Sequence, residues 1–476
     1  MNQDVRLFDL NIEKILEAWD CAHAVRELIA NALDEQTLSG TADVTIEKHD
    51  GVWTVRDFGR GLRYEHFTQN ENPEKLEAVG RVIGKFGVGL KDALATLDRC
   101  GVKVEVQSKH ARITLTQQAK HDFGDVVTLH AAVASPSNPG FIGTEIRMSG
   151  LKDIDVQHAK SFFLRFSDES VLEETKIGGI FRKKGSTGRI YIAGLLVAEE
   201  ENFAFSYNIT SLTEPMKRAL NRERTNVGRT AYSERVKAML LQAKSQDIAH
   251  ILAEELRKLE LGTASDEVGW KDVAVHACKI LNASNDNVFV TASQLTLHAS
   301  TVDHAKSDGL NVIVVPDTIY AELAGARDIA GAPIRDLSVY QSQWNDSFKF
   351  KWVPPDKLSA SEREIFLSKD KLIALVGGLP EQVKDIRISQ TMRMDFSTGN
   401  DALGLWDPAT SSIVVRRDQL RTLVSFAATL LHEIAHARSN CSDVTRGFED
   451  ELTEYLGRVA AGALSAKEEK HSFWRR

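Results

Sequence analysis

Near the C-terminus, His432-Glu433-Ile434-Ala435-His436 sets two imidazoles four residues apart with a carboxylate between them. On a helix this spacing sends both rings to one side, so they can hold one Zn2+ while Glu433 stands beside the attacking water as general base. Leu430, Leu431, Ile434, Ala435 and Ala437 make the surrounding helix apolar, and a buried His pair there needs partners. A catalytic zinc takes a third protein ligand and keeps a fourth position open. The segment Cys441 to Tyr455 reads as a turn followed by an acidic helix. Glu449 is expected to share a face with Leu452 and Leu456, the side that packs on the first helix, which makes it the first choice of third ligand. Asp443 on the turn is its main competitor, while Glu451 and Glu454 are expected closer to solvent.

A second constellation lies at the other end. Glu27, Asn31 and Asp34 fall at i, i+4 and i+7, so a helix gathers two carboxylates and an amide on one face. Asp57-Phe58-Gly59-Arg60-Gly61 follows a strand-like run, and Gly84-Lys85-Phe86-Gly87-Val88-Gly89 opens a helix. Glycines at a helix N-terminus let backbone N–H groups approach phosphate closely, and the helix dipole favours its charge. The parallel βαβ context of a dinucleotide fingerprint is missing. Gly143-Thr144 then enters a later strand.

In this order and spacing, the segments resemble the N, G1 and G2 boxes and the fourth element of the GHKL (Bergerat-fold) ATPases, the superfamily of gyrase B, MutL, the large heat-shock chaperones and histidine kinases. The resemblance implies ATP and Mg2+ as cofactors. It makes Glu27 the general base for hydrolysis, Asn31 the Mg2+ ligand and Asp34 a further pocket residue. Asp57 becomes the acceptor of the adenine amino group, assisted by Thr144; Gly59 and Gly61 leave room for the base, and Gly84, Lys85, Gly87 and Gly89 form the phosphate lid. Arg222, in Asn221-Arg222-Glu223-Arg224, is the candidate cation that a transducer domain extends to the γ-phosphate. The C-terminal segment resembles a gluzincin-type metallopeptidase with a short linker to its third ligand, which implies a zinc-bound, peptide-cleaving domain.

The elements that must position these groups read as an α+β multidomain chain. Residues 1–150, helices followed by alternating strands, make the expected Bergerat-fold α/β sandwich. Residues 151–262 read as a small α+β domain with one long helix near Tyr232 to Leu259, in the place that the resemblance to GHKL ATPases gives to a transducer-like domain. Residues 263–345 alternate as a small α/β connecting unit, and residues 346–476 make the zincin-like domain. Trp352-Val353-Pro354-Pro355-Asp356 reads as a linker, because Pro-Pro interrupts helix and ladder alike. Ala402 to Trp406 and Ser412 to Arg416 read as strands before the active-site helix, and Met1 to Leu10 as an arm able to cross to a partner subunit.

Composition narrows the classes. With 42% hydrophobic and 26% charged residues over 476 positions the chain is globular rather than disordered. Cys21, Cys100, Cys278 and Cys441 form no CxxC pair, which fits a reducing compartment. No apolar run reaches the ~18 residues of a membrane span, and no signal peptide is visible, so a cytoplasmic location is expected. A net charge of −8, with no obvious basic patch interleaved with aromatics, argues against a nucleic-acid partner. The expected whole is an ATPase, dimerising through its N-terminal domain, whose nucleotide state gates a zinc peptidase acting on a protein or peptide, as in a stress or phage-defence effector. The alternative is a chaperone-like or scaffold ATPase with a non-catalytic zinc domain.

Overall fold

The computed structural model describes residues 5–10, 19–67, 74–75, 82–84, 89–120, 123–219, 227–284, 286–395 and 400–473. The chain is a mixed α+β protein that divides into two compact units, Met1–Leu281 and Asn282–Arg476. Residues 263–281, expected in the connecting unit, therefore belong to the first compact unit.

The first unit opens with β1 (Arg6–Asp9), α1 (Cys21–Ser39), β2 (Thr45–His49) and β3 (Val52–Asp57), followed by α2 (Gly89–Arg99). Next come β4 (Lys103–Ser108), β5 (Arg112–Lys120), β6 (Phe123–Ala134), β7 (Thr144–Ser149) and α3 (Asp153–Ser161). The seven strands form one sheet in the order β1-β6-β5-β4-β7-β3-β2, each pair antiparallel. Asp20 starts α1 by accepting the N–H of His23 at 3.0 Å, and Gly40, with φ of 61°, ends it in the left-handed region. Val25, Leu28, Ile29 and Leu33 of α1 pack with Leu94 and Leu97 of α2 against Val104, Val106 and Ile146 of the sheet. Each such side chain, fully buried, contributes about 1.5–3 kcal/mol. Within the expected N-terminal arm, Arg6 to Asp9 form an edge strand, pairing with Val133 to His130 of β6.

A second sheet follows, built from β8 (Ser170–Thr175), β9 (Gly178–Arg182), β10 (Gly188–Ile192), β11 (Leu195–Glu200) and β12 (Phe205–Ile209) in the order β11-β10-β12-β9-β8. The single long helix expected after it is two, α4 (Arg229–Gln242) and α5 (Gln246–Leu256). The break has a local cause. The carboxylate of Glu173 accepts the N–H groups of Lys244 at 2.9 Å and Ser245 at 2.8 Å, donors that a continuous helix would have turned inward.

The second unit contains a parallel pair, β13 (Asn287–Val290) and β14 (Asn311–Val314), and the helix α6 (Leu337–Ser347). Its other sheet is built from β15 (Asp385–Ser389), β16 (Gly404–Asp407) and β17 (Ser412–Arg416) in the order β15-β17-β16, with β15 parallel and β16 antiparallel to the central strand. Two helices close the chain, α7 (Leu423–Ser439) and α8 (Arg446–Phe473). Ile386, Ile388, Ile413 and Val415 meet Phe426, Leu430 and Ile434 of α7 and Phe448 and Tyr455 of α8 in one core. Among the described residues no helix is long and apolar enough to cross a membrane.

Candidate functional site

The histidines of the C-terminal motif lie on α7, which Thr422 caps by accepting the Ser425 N–H at 3.1 Å. Asn440 ends the helix in the left-handed region, φ 51°, with its N–H on the His436 carbonyl. That turn brings the Cys441 carbonyl within 2.8 Å of His436 Nδ1. Nδ1 must be the protonated nitrogen to donate this bond, so Nε2 carries the lone pair. His432 Nε2 lies 3.1 Å from His436 Nε2, and Asp443 Oδ1 lies 3.2 Å and 3.3 Å from the two nitrogens. Zinc bonds of about 2.0–2.1 Å in a tetrahedron separate neighbouring ligand atoms by about 3.3 Å. The three atoms therefore have the spacing of three corners of a zinc tetrahedron, and among the described residues this is the cluster able to hold a metal.

Glu449 is not part of it. The inward side of α8 is set by Phe448, Leu452, Tyr455 and Val459, spaced by four, three and four residues. Phe448 stacks on His436 at 4.3 Å and meets His432 edge-on at 4.9 Å, filling the place expected for Glu449. Glu449 is exposed one position further round the helix, and Leu456, expected beside it in the core, is 71% exposed. Glu451 pairs with Arg438 at 3.2 Å and Glu454 with Arg458, so neither joins the cluster.

Glu433 is 6% exposed, and its Oε2 accepts the N–H of Trp406 in β16 at 2.8 Å. Burial first, then the nearby charges of Asp443 and Asp395, pushes its carboxyl up to about 8. Gly404 in the same strand leaves the space that Glu433 uses: a Cβ there would lie 2.7 Å from Glu433 Cγ and 2.6 Å from Thr429 Cγ2. Burial and the charge of His436 lower the His432 imidazole against the pull of Asp443.

The N-terminal residues converge as well, though Lys85, Gly87 and Arg222 lie outside the described residues. Glu27 is 3% exposed on α1, accepts Arg26 Nη2 at 3.0 Å and faces Gly89, where a Cβ would approach Glu27 Oε2 to 2.6 Å. Asp34, 1% exposed, accepts Ile83 N–H at 2.6 Å, Gly84 N–H at 2.7 Å and Lys75 Nζ at 2.7 Å. The same Lys75 ammonium donates to Asn31 Oδ1 at 3.0 Å. Asp57 closes β3 directly opposite Thr144, and its Oδ1 accepts Gly59 N–H at 2.9 Å and Thr144 N–H at 3.2 Å. Burial, reinforced by the charge of Glu35, raises the Asp57 carboxyl against those two donors. Thr144 Oγ1 accepts the Leu62 N–H just after Gly61. Gly143 has φ of 81°, and a Cβ there would collide with the Asp57 carbonyl.

Three contributors escape sequence reasoning. Lys75 sits in a polar stretch with no periodic signal. Arg26 points along a helix beside a carboxylate it neutralises, an i, i+1 relation that helical spacing does not highlight. Glu35 binds Arg60 at 3.0 Å; burial works against its ionisation, but the side chain and N–H of Arg60 and the hydroxyl of Ser39 hold it at about 2.

The chain is similar to proteins of Mycoplasma pneumoniae. The family model described as the Mycoplasma pneumoniae MPN635 N-terminal domain matches residues 154–246, which span the second sheet, α4 and the start of α5. An uncharacterized protein of Mycoplasma pneumoniae (strain M129) is 36% identical over 241 residues, covering 50% of this chain and 97% of the relative. Another uncharacterized protein of the same organism is 23% identical over 333 residues, covering 66% of this chain and 93% of the relative.

Proposed function

The chain belongs to the family of the Mycoplasma pneumoniae protein that it covers over 97% of its length, and for this member we propose a GHKL-type ATPase whose nucleotide state gates a zinc-dependent peptidase. The observation that carries the peptidase half is the convergence of His432, His436 and Asp443 beside the buried Glu433. His432 Nε2, His436 Nε2 and Asp443 Oδ1 would hold the ion, with the Cys441 carbonyl fixing the tautomer of His436. Zinc bound there supplies a Lewis acid for the peptide carbonyl and lowers the pKa of the attacking water. Trp406 N–H pins Glu433 Oε2, which leaves Oε1 to take the water proton and pass it to the departing amine. Glu433, which burial would otherwise keep protonated, would be held as a carboxylate by a cation on His432, His436 and Asp443. β16 is the edge strand nearest this helix and suits an extended peptide added alongside it.

The nucleotide half rests on the N-terminal constellation. Asp57 keeps one carboxylate oxygen on two N–H donors, and Oδ2 is the acceptor for an adenine amino group. Asn31 Oδ1 and Asp34 Oδ2 already share one cation, Lys75 Nζ, so the pair is built for positive charge. Mg2+ bound with ATP would neutralise the phosphates in its place. Glu27, kept out of solvent beside the first residue of α2, is the base for the attacking water. The fold that suits these roles is a Bergerat sandwich followed by a transducer-like domain at 151–262 and a zincin-like domain at 346–476. ATP-dependent dimerisation would shift the population between a closed and an open peptidase. Glu433→Gln is the test: it should retain zinc and ATP binding and lose peptide cleavage, and cleavage by the zinc-loaded variant would overturn the assignment.

A further inference from the structure

Trp352, where the segment read as a linker begins, is the last ring of an ordered aromatic ladder. Phe348, Phe350 and Trp352 alternate with Lys349 and Lys351 directly after α6. Trp344 to Phe348 centroids are 4.9 Å apart, Phe348 to Phe350 5.2 Å, and Phe350 to Trp352 4.8 Å with ring planes 25° apart. The backbone is locked to the free edge of β15: Val353 N–H donates to the Ile388 carbonyl at 2.9 Å, and Gln390 N–H to the Lys351 carbonyl at 2.8 Å. Alternation then separates the faces. Val353, Ile386 and Ile388 enter the core beneath α7, so Trp352 and Arg387 stand on the opposite face of the sheet from the histidine motif.

This face lacks the features of a structural core. Phe348 and Phe350 are only half-buried, and Trp352 is 44% exposed. Arg387 lies over Trp352 at 5.2 Å and is held flat by Asp385 at 2.7 Å; Arg393 lies over Phe350 at 5.4 Å. Arg393 Nε is buried without a hydrogen-bond partner. Lys349 and Lys351 are exposed and have no ion-pair partner among the described residues. Flat apolar rings and a guanidinium plane suit nucleobases, while three cations outside any described ion pair suit the phosphates between them. An acidic peptide offers carboxylates to the cations but no repeating planar bases to stack along the rings. The net charge of −8 is a sum over the whole chain and leaves this local track intact.

We infer that the Phe348–Phe350–Trp352 ladder, with Lys349, Lys351 and Arg393, binds single-stranded nucleic acid. The site is independent of the peptidase and ATPase assignments and reverses the expectation that nucleic acid is no partner. The test uses the full chain and fluorescein-labelled dT20 and rU20, with a 20-base-pair duplex as competitor, read by anisotropy across a salt series. Single strands should bind and the duplex should compete at least tenfold more weakly. The slope of log K against log salt should be about −2, since three neutralised phosphates at about −0.7 each give that value. Trp352→Ala and Phe350→Ala should each weaken binding about tenfold, from the loss of one stacked base. Lys349→Glu/Lys351→Glu, on exposed positions that leave folding intact, should weaken binding and flatten the slope, while Glu433→Gln should bind as wild type. Absence of oligonucleotide binding at 50 mM salt, equal binding of duplex, or unchanged affinity in the charge-reversed variant would each overturn the inference.

Discussion

Replacing Asp443 by Ala removes one corner of the proposed zinc tetrahedron, and the structure fixes what that should cost. The three ligand atoms stand 3.1 to 3.3 Å apart, close to the ~3.3 Å that zinc bond lengths demand, so the site is organised in advance and its loss is not offset by relaxation. Outer partners of zinc ligands typically cost 10–100-fold in affinity. A ligand that also supplies the only negative charge of the set should cost at least about 100-fold, or about 2.7 kcal/mol. At a zinc concentration 1,000 times the wild-type Kd, the ion adds about 4.1 kcal/mol to stability; a 100-fold weaker site retains about 1.4 kcal/mol. Competitive titration against a chromophoric chelator reads the affinity, and melting with and without zinc reads the linked stability. Glu449→Ala, on the exposed face of α8, should leave both unchanged. Loss of zinc from the Glu449 variant with full retention in Asp443→Ala would refute the ligand assignment.

Other consequences can be checked singly. Glu27→Ala should bind ATP at near wild-type affinity but lose turnover by about 100-fold or more, the usual scale of a removed general base; undiminished phosphate release would remove Glu27 from that role. Gly143→Ala forces an L side chain to φ of 81° against the Asp57 carbonyl and should cost about 1–3 kcal/mol from the backbone alone, seen as a lowered Tm; an unchanged melt would contradict the close approach. The carboxyl of Glu35 sits lower in the folded chain than unfolded, at about 2 against an ordinary 4.5, so its contribution is complete above pH 4.5 and fades as pH falls towards 2. Glu35→Gln should therefore flatten the acid limb of a pH–stability curve, and an identical limb would exclude the Arg60 pair as its source.

How far the chain could be read from its sequence depended on whether one element carried the information. The histidine motif was legible because four residues along a helix fix a shared face whatever surrounds it. Asp57 and Thr144 were legible as a pair through ordered boxes, and the sheet register sets them opposite one another. Asp443, the third member of the cluster, was legible only as the competitor to Glu449, because its place depends on a turn: Asn440 and Val444 both have positive φ, at 51° and 60°, and no periodicity encodes the loop they make. The buried face of α8 is centred on Phe448 and not on Glu449, a difference of one residue or about 100° of rotation. Lys75 and Arg60 act across long sequence separations, and the helix break near Ser245 is set by Glu173 on another element. Phe348, Phe350 and Trp352 alternate with lysines in the sequence, but their ordering depends on pairing with β15, which no local pattern encodes.

Under the proposed function, nucleotide controls a zinc peptidase within one chain. Its most direct test is cleavage mapping across a whole-cell peptide and protein substrate pool, comparing wild type with Glu433→Gln, each with and without Mg·ATP. The account predicts cuts made by the wild type alone, absent after zinc removal and changed in rate by ATP. The same cuts from the zinc-loaded Glu433→Gln variant, or a wild-type rate indifferent to ATP, would contradict it.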